Sequence, residues 1–449
     1  MSETFGNAID SAASTQPVAE AARRAREASI ALGALPVETR DAALRAVIEA
    51  YEERRNDILA ENAGDLEAAE ALCNQGRLAR PLLKRLSLQG DKFDAVIKGL
   101  RAVADLPDPV NQVQRTTELD DGLVLTRVSC PIGVICTIFE SRPDALPQIA
   151  SLCLKSGNAI LLKGGSEAAR SNRILAHLFE EASIRAGAPA GWMRLLETRQ
   201  QIDEILKLDD LIDLIIPRGG NELCQHIMNH TKIPVTGHRD GVCHVYVHSA
   251  ADPDMAVRIV VDSKTQYPAV CNAAETILID ENVEVGDVLR IVKALIDKGV
   301  RIRGCERTRA ILRGYPIEPA SESDWSAEYL DLVVSMRIVT GIDQAIAHIN
   351  RYGSHHTDAI VTNDANAAEQ FVRRVDSSSV MHNASTRFSD GFRYGLGAEV
   401  GISTNKIHSR GPVGLEGLTI YKYILRGRGQ TVAEYSGPHA RAFTHKRIA

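Results

Sequence analysis

Short, continuous apolar runs alternate along this chain with longer amphipathic stretches, and that alternation limits the folds open to it. GVICTIF, NAILLKG and LIDLIIP are the first three runs, each rich in Val, Ile and Leu. DALPQIASLCLKSG, EAARSNRILAHLFEEASIRAG and NELCQHIMNH follow them in turn, with apolar residues at helical spacing. A strand that is apolar on both faces is buried on both faces, so the pattern predicts a parallel sheet covered by helices. After CHVYVHS the alternation resumes: helix DMAVRIVVDSKTQ, strand TILID, helix VGDVLRIVKALIDKG, strand DLVVSMRIV, helix IDQAIAHINRYG, strand TDAIVTN and helix AAEQFVRRV. That is a second α/β unit, from about residue 250 to about 375.

The flanks follow a different pattern. Leu44, Val47, Ile48 and Tyr51 fall at i, i+3, i+4 and i+7, one buried face of a helix over 39–62. TTELDDGLVLTRVSCPIG predicts an extended hairpin turning at Asp121-Gly122. LTIYKYILRGRG is one long β-like run near the end of the chain. It needs a sheet edge in the same or a neighbouring subunit. The first 17 residues read as a frayed leader without the pattern of a signal peptide. A net charge of −6 argues against nucleic acid or a membrane as the main partner, and no apolar run reaches spanning length. The expected setting is the cytoplasm. The eight cysteines have no C-x-x-C or zinc-ligand spacing, so no metal is expected. His355 and His356, read as neighbours on a strand, point to opposite faces and make a poor metal site.

Two turns suit a phosphate-bearing cofactor. LLKGGSEAA ends a strand at Lys163, turns at Gly164-Gly165 and opens a helix at Ser166; IIPRGGNEL repeats the arrangement with Arg218, Gly219 and Gly220. Either turn alone equally makes a plain βα connection. YPAVCNAAET sets Cys271 in a loop among small residues, where a thiolate can form and a substrate can approach. By position alone, a cysteine packed under a loop is the leading reading. NASTRFSDGF offers Asn383, Ser385 and Arg387, and FESRPDA places Glu140 and Arg142 at a strand end. The arginines suit an anionic substrate, since guanidinium grips carboxylate or phosphate in a fork; a solvated loop is the alternative for NASTRFSDGF.

CPIGVICTIFESRPDA, LKSGNAILLKGGSEA, YPAVCNAAET, VDSSSVMHNASTRFSDGF and RGPVGLEGLTIYKYI together resemble the aldehyde dehydrogenase superfamily. In detail they resemble its γ-glutamyl phosphate reductase family, over about residues 18–426. The resemblance implies a Rossmann-type cofactor domain (1–115 and 132–245, with 380–410 returning to it). It further implies a catalytic α/β domain at 246–379, an oligomerisation arm at 116–131 and 411–430, and a C-terminal tail at 431–449. Cys271 is the implied nucleophile, with the backbone of Asn272 beside it. Lys163, Gly165, Ser166, Arg218, Gly219, Gly220 and Glu328 are the implied NADP(H) contacts, with Glu328 at the nicotinamide ribose. Arg142, Asn383, Ser385 and Arg387 are the implied substrate contacts.

The implied reaction is NADPH-dependent reduction of L-glutamyl 5-phosphate to glutamate 5-semialdehyde and phosphate through a cysteine thioester. It is the second step of proline biosynthesis. A homo-oligomer, dimer or tetramer, is expected, and a transient contact with glutamate 5-kinase stays open. The hydrolytic members carry a water-activating glutamate; the comparable TGHRDGVCH has none, and a base of that kind would destroy a thioester before hydride arrived. A hydrolytic or CoA-acylating dehydrogenase, and a catalytically silent scaffold or redox sensor, are the alternatives.

Overall fold

The structure, a computed structural model, describes residues 17–78, 80–198, 200–237 and 240–448. The leader, and His238 and Arg239 of TGHRDGVCH, lie outside the described residues. The chain divides into two compact units. One runs to Val235 and takes back Leu396–Val400 and Val413 onward; the other is Thr236–Gly395 with Gly401–Pro412.

In the first unit, Leu44, Val47, Ile48 and Tyr51 are buried as their spacing predicts. They lie on a helix ending at Glu53. A second helix, Arg55–Asn74, follows a break at Arg54, so the predicted stretch 39–62 is two elements. The hairpin forms as β1 (Val113–Asp120) and β2 (Leu123–Pro131), turning on Gly122 with φ +67°. Four parallel strands follow: β3 (Val134–Phe139), β4 (Ala159–Lys163), β5 (Met193–Leu196) and β6 (Leu214–Arg218), in the order β5-β4-β3-β6. Every residue of β3 and β4 is buried, which is why both read as unbroken apolar runs.

The run LTIYKYILRGRG finds its edge within the chain. Thr419–Arg426 pairs antiparallel along β2, leaving Ile420, Tyr421, Tyr423 and Leu425 exposed. Beyond it the tail crosses to the opposite edge, where Lys446–Arg447 pairs with β1 at Thr117 and Glu118. Asp120 anchors that crossing: it accepts a hydrogen bond from the Tyr435 hydroxyl at 2.9 Å and forms an ion pair with Arg441. The Tyr435 and Phe443 rings stack 4.4 Å apart.

The second unit holds one seven-stranded parallel sheet. Its strands are β7 (Cys243–Val247), β8 (Ala274–Asp280), β9 (Arg301–Gly304), β10 (Ile317–Pro319), β11 (Val333–Val339), β12 (Thr357–Val361) and β13 (Ser379–His382). The order is β10-β9-β11-β8-β7-β12-β13. This moves the expected boundaries. β7 pairs with β8 and β12, so the break falls at 235/236 and not at 245. β13 pairs with β12, so 380–395 stays with this unit; of the predicted return segment 380–410, only Leu396–Val400 rejoins the first. His355 and His356 precede β12, and His355 has a φ of +61°.

Candidate active site

In the first unit, β4 and β5 lie to one side of β3 and β6 to the other. The chain reverses direction across the sheet at that point, and the carboxyl ends of such strands leave a crevice that suits a ligand. A cavity of about 810 Å³ opens there. Ile138, Phe139, Lys163, Gly165, Ser166 and Gly220 line it. Its turns are tied together. The Glu140 carboxylate accepts from the Gly220 N–H at 3.1 Å, and the Glu167 carboxylate accepts from the N–H and hydroxyl of Ser141 at 2.5 and 2.8 Å. Lys163 is buried, and its ammonium donates to the Gly164 carbonyl. Arg218 and Gly219 lie outside the lining. Arg218 turns toward Glu399, 3.8 Å away, because that residue returns with Leu396–Val400. Five carboxylates, Glu140, Glu167, Glu197, Asp203 and Glu222, also line the cavity, and Arg173 engages Glu197 at 2.9 Å. Arg142 is half-exposed and 3.7 Å from Asp144.

In the second unit, Cys271 occupies a turn between the helix Pro253–Thr265 and β8, closed by the Ala273 N–H donating to the Val270 carbonyl at 3.0 Å. It is partly exposed, whereas Cys73, Cys136, Cys153, Cys224 and Cys243 are buried. Burial pushes the Cys136 thiol up to about 12, and the Cys153 and Cys243 thiols upward as well, which makes them poor nucleophiles. The Cys243 thiol donates to the Cys271 carbonyl at 3.1 Å. Gly241 lies against the same backbone: a Cβ there would stand 2.1 Å from the Cys271 carbonyl oxygen and 2.3 Å from its Cα. Glu328 accepts from the Gly241 N–H at 3.0 Å, which ties it to the thiol turn.

The loop after β13 closes on this turn from another side. The Asn272 side-chain amide donates to the Ser389 carbonyl at 2.7 Å. Arg387 is 8% exposed, and its Nε donates to the Gln266 side-chain Oε1 at 2.9 Å. No hydrogen-bond partner for its two terminal nitrogens occurs among the described residues. Burial and the neighbouring Arg393 lower its pKa, opposed by the nearby Asp390, Cys271 and Asp262 side chains. A charged guanidinium withdrawn from water in this way favours an anion as its partner.

Asn383 and Ser385, the expected substrate contacts, are engaged within the fold itself. Asn383 has a φ of +56°, and its side chain both accepts from the Thr362 N–H and donates to the Thr362 carbonyl, each at 2.9 Å. Ser385 caps the short turn Thr386–Phe388 through the Arg387 N–H. Their polar atoms build the loop that holds Arg387. Sequence reasoning missed Gln266, which no motif marks. It also left Glu275 without a role; the readable signal was an acid inside the apolar strand TILID and its flank.

Residues 7–301, more than half of the chain, match the aldehyde dehydrogenase family. The chain belongs to that family, and its fold agrees with solved members that share little sequence. An acetylating aldehyde dehydrogenase from Geobacillus thermoglucosidasius has a TM-score of 0.64 at 19% identity, over 92% of this chain and 97% of that one. Within the family the chain stands among the γ-glutamyl phosphate reductases. It is 52% identical to the enzyme of that name from Pelotomaculum thermopropionicum over 96% of this chain and 97% of the relative. It is 50% identical to the one from Methanosarcina acetivorans over 95% and 96%. The crystal structure of the Thermotoga maritima γ-glutamyl phosphate reductase superposes with a TM-score of 0.88 at 38% identity, covering 93% of this chain and all of that one. No helix among the described residues is long and apolar enough to cross a membrane.

Proposed function

We propose that this chain reduces L-glutamyl 5-phosphate to glutamate 5-semialdehyde and phosphate, the second step of proline biosynthesis, through a thioester on Cys271. The Cys271 thiolate attacks the γ-carbonyl carbon, the carbonyl π electrons move to oxygen, and the C–O bond to phosphate breaks as the carbonyl re-forms. The backbone N–H groups of Cys271 and Asn272 are the candidate donors to the oxyanion, and such donors are each worth about 10²–10³ in rate. Arg387 takes the leaving phosphate. Support for this choice over the α-carboxylate is chemical: the phosphate is bonded to the attacked carbon, while the carboxylate is several bonds away. Gln266 fixes the plane of the guanidinium through Nε, leaving both terminal nitrogens for the anion.

The cavity at the ends of β3 and β4 suits the adenosine end of a nicotinamide cofactor, with Lys163 buried at its wall. When bound, that cofactor supplies a hydride to the thioester carbon. The resulting thiohemiacetal oxyanion collapses, expels the Cys271 thiolate and frees the aldehyde. Glu328 is the proposed contact to the nicotinamide ribose. The segment TGHRDGVCH carries no water-activating glutamate, and the carboxylates near the thiol turn are held elsewhere, Glu275 by Lys264 and Glu328 by the Gly241 N–H. NADPH is the proposed donor, with Lys163 at its 2′-phosphate. The five carboxylates favour NADH as a second reading, and the ratio of kcat/KM for the two cofactors decides between them.

The observation that carries the reaction is the buried, anion-seeking Arg387 tied to the Cys271 turn. The test is reduction of NADP⁺ by glutamate semialdehyde with and without inorganic phosphate. Wild type should require phosphate, and Cys271→Ala should lose turnover while still binding cofactor. Phosphate-independent turnover, or near-normal activity without the thiol, refutes the mechanism.

A further inference from the structure

Lys264 and Glu275 are both fully buried, and the ammonium lies 2.6 Å from one carboxylate oxygen. The proposed chemistry uses neither. Taking two charges out of water costs several kcal/mol per ion, and the attraction between them regains that only in favourable geometry. Apolar residues would fill the same space at less risk, so the pair needs a reason beyond packing.

Its position supplies one. Lys264 is the penultimate residue of the helix leading into the Cys271 turn, and Glu275 is the second residue of β8, four positions after the thiol. The pair therefore closes the base of the segment that carries Cys271. The second oxygen of Glu275 accepts from the Leu330 N–H at 3.4 Å. Leu330 has a φ of +53°, an unusual value for a leucine, and it follows Glu328 by two residues. Glu328 in turn holds the Gly241 N–H, and Gly241 rests on the Cys271 backbone. The contacts form a closed circuit: Lys264, Glu275, Leu330, Glu328, Gly241 and back to the thiol turn.

We infer that Lys264 and Glu275 are positioning residues that lock the Cys271 turn and the Glu328 loop in one fixed register. This rests on the functional reading above, in which the thiol and Glu328 act on the same reaction. A carboxylate is suited to the task because its two oxygens accept from two separate segments at once. Register of this kind matters because misplacing reacting groups by about 1 Å can cost about 10²-fold in rate.

Two variants of the full chain test the inference. Lys264→Met with Glu275→Leu replaces the pair by apolar side chains of similar volume, a change that buried ion pairs often tolerate without loss of stability. Glu275→Gln keeps an acceptor for Leu330 and removes the charge. Each is measured beside wild type for melting temperature, kcat, KM for the nicotinamide cofactor, and the rate of Cys271 alkylation by iodoacetamide. At least one variant is expected to melt close to wild type with kcat about tenfold lower or more, cofactor KM raised, and the alkylation rate changed. A folded variant with wild-type kcat, KM and alkylation rate overturns the inference. So does failure of both variants to fold, which makes the pair a stability element alone. If wild type itself shows no phosphate-dependent turnover, the functional reading fails instead, and the alkylation rates still decide the pair.

Discussion

Gly241→Ala is the smallest change that reaches the thiol without touching it. The added Cβ would stand 2.1 Å from the Cys271 carbonyl oxygen and 2.3 Å from its Cα. Real Cβ contacts stay above about 3.0 Å, so the Cys271 backbone must retreat by about 1 Å. No flexible side chain can yield in its place, since the obstructing atoms are backbone. A shift of that size is expected to lower kcat/KM about 10²-fold, or about 2.7 kcal/mol of transition-state stabilisation. The overpacking itself costs about 1–3 kcal/mol of stability, which leaves a folded protein to assay. The assay is phosphate-dependent NADP⁺ reduction, with folded fraction scored by circular dichroism. Gly286→Ala is the control, because nothing lies within 4 Å of a Cβ at that helical position. A Gly241→Ala enzyme that is folded and within about threefold of wild type refutes the claim that this backbone contact sets the thiol position.

His348 supplies a pH test. Burial, then the neighbouring His244, Arg337 and Arg351, lower its pKa from 6.5 to about 2, so it is neutral in the fold and protonates in the unfolded chain below about 6.5. The unfolded state then binds the extra proton, and stability falls as pH drops. Between pH 7 and pH 5 the loss is about 2 kcal/mol. Glu275, raised to about 7 chiefly by burial, acts with the opposite sign: its cost grows as pH rises from about 4.5 to 7. The decisive quantity is therefore the pH 7 to pH 5 change in denaturation midpoint for wild type minus that for His348→Asn, and no difference refutes the assignment. Lys163→Met should raise KM for NADPH about tenfold or more, with a smaller change for NADH; equal effects on both cofactors refute a 2′-phosphate contact.

The central strands were legible because both of their faces are covered. β3, β4, β7, β8 and β12 are buried throughout, and that environment writes itself into sequence as Val, Ile and Leu. β5 (MRLL), β9 (RIRG) and β13 (SVMH) are short and carry charged or polar residues, so their neighbours, more than their own pattern, define them as strands. The break at Arg54 has no proline or glycine to announce it. At the site, Cys271 emerged through resemblance and not through position. For Asn383 and Ser385 the sequence offers two roles at once, because loop-building and ligand-binding use the same polar side chains, and only geometry shows that they bond to Thr362 and Arg387. Gln266 meets Arg387 from far along the chain, and the Lys264–Glu275 pair is buried at the foot of the Cys271 turn, neither marked by any local motif.

The crossing of the C-terminal tail has a consequence for how copies of this chain can join. A flat sheet with two open edges behaves as a bifunctional monomer and can polymerise without end. Here Lys446–Arg447 covers β1 at Thr117 and Glu118, held by the anchor at Asp120, while Thr419–Arg426 forms the opposite edge. The tail thus interrupts one edge and leaves the other as the longer stretch of unpaired backbone. An edge of that kind is suited to pairing once about a twofold axis, which would leave no equivalent edge from which to grow.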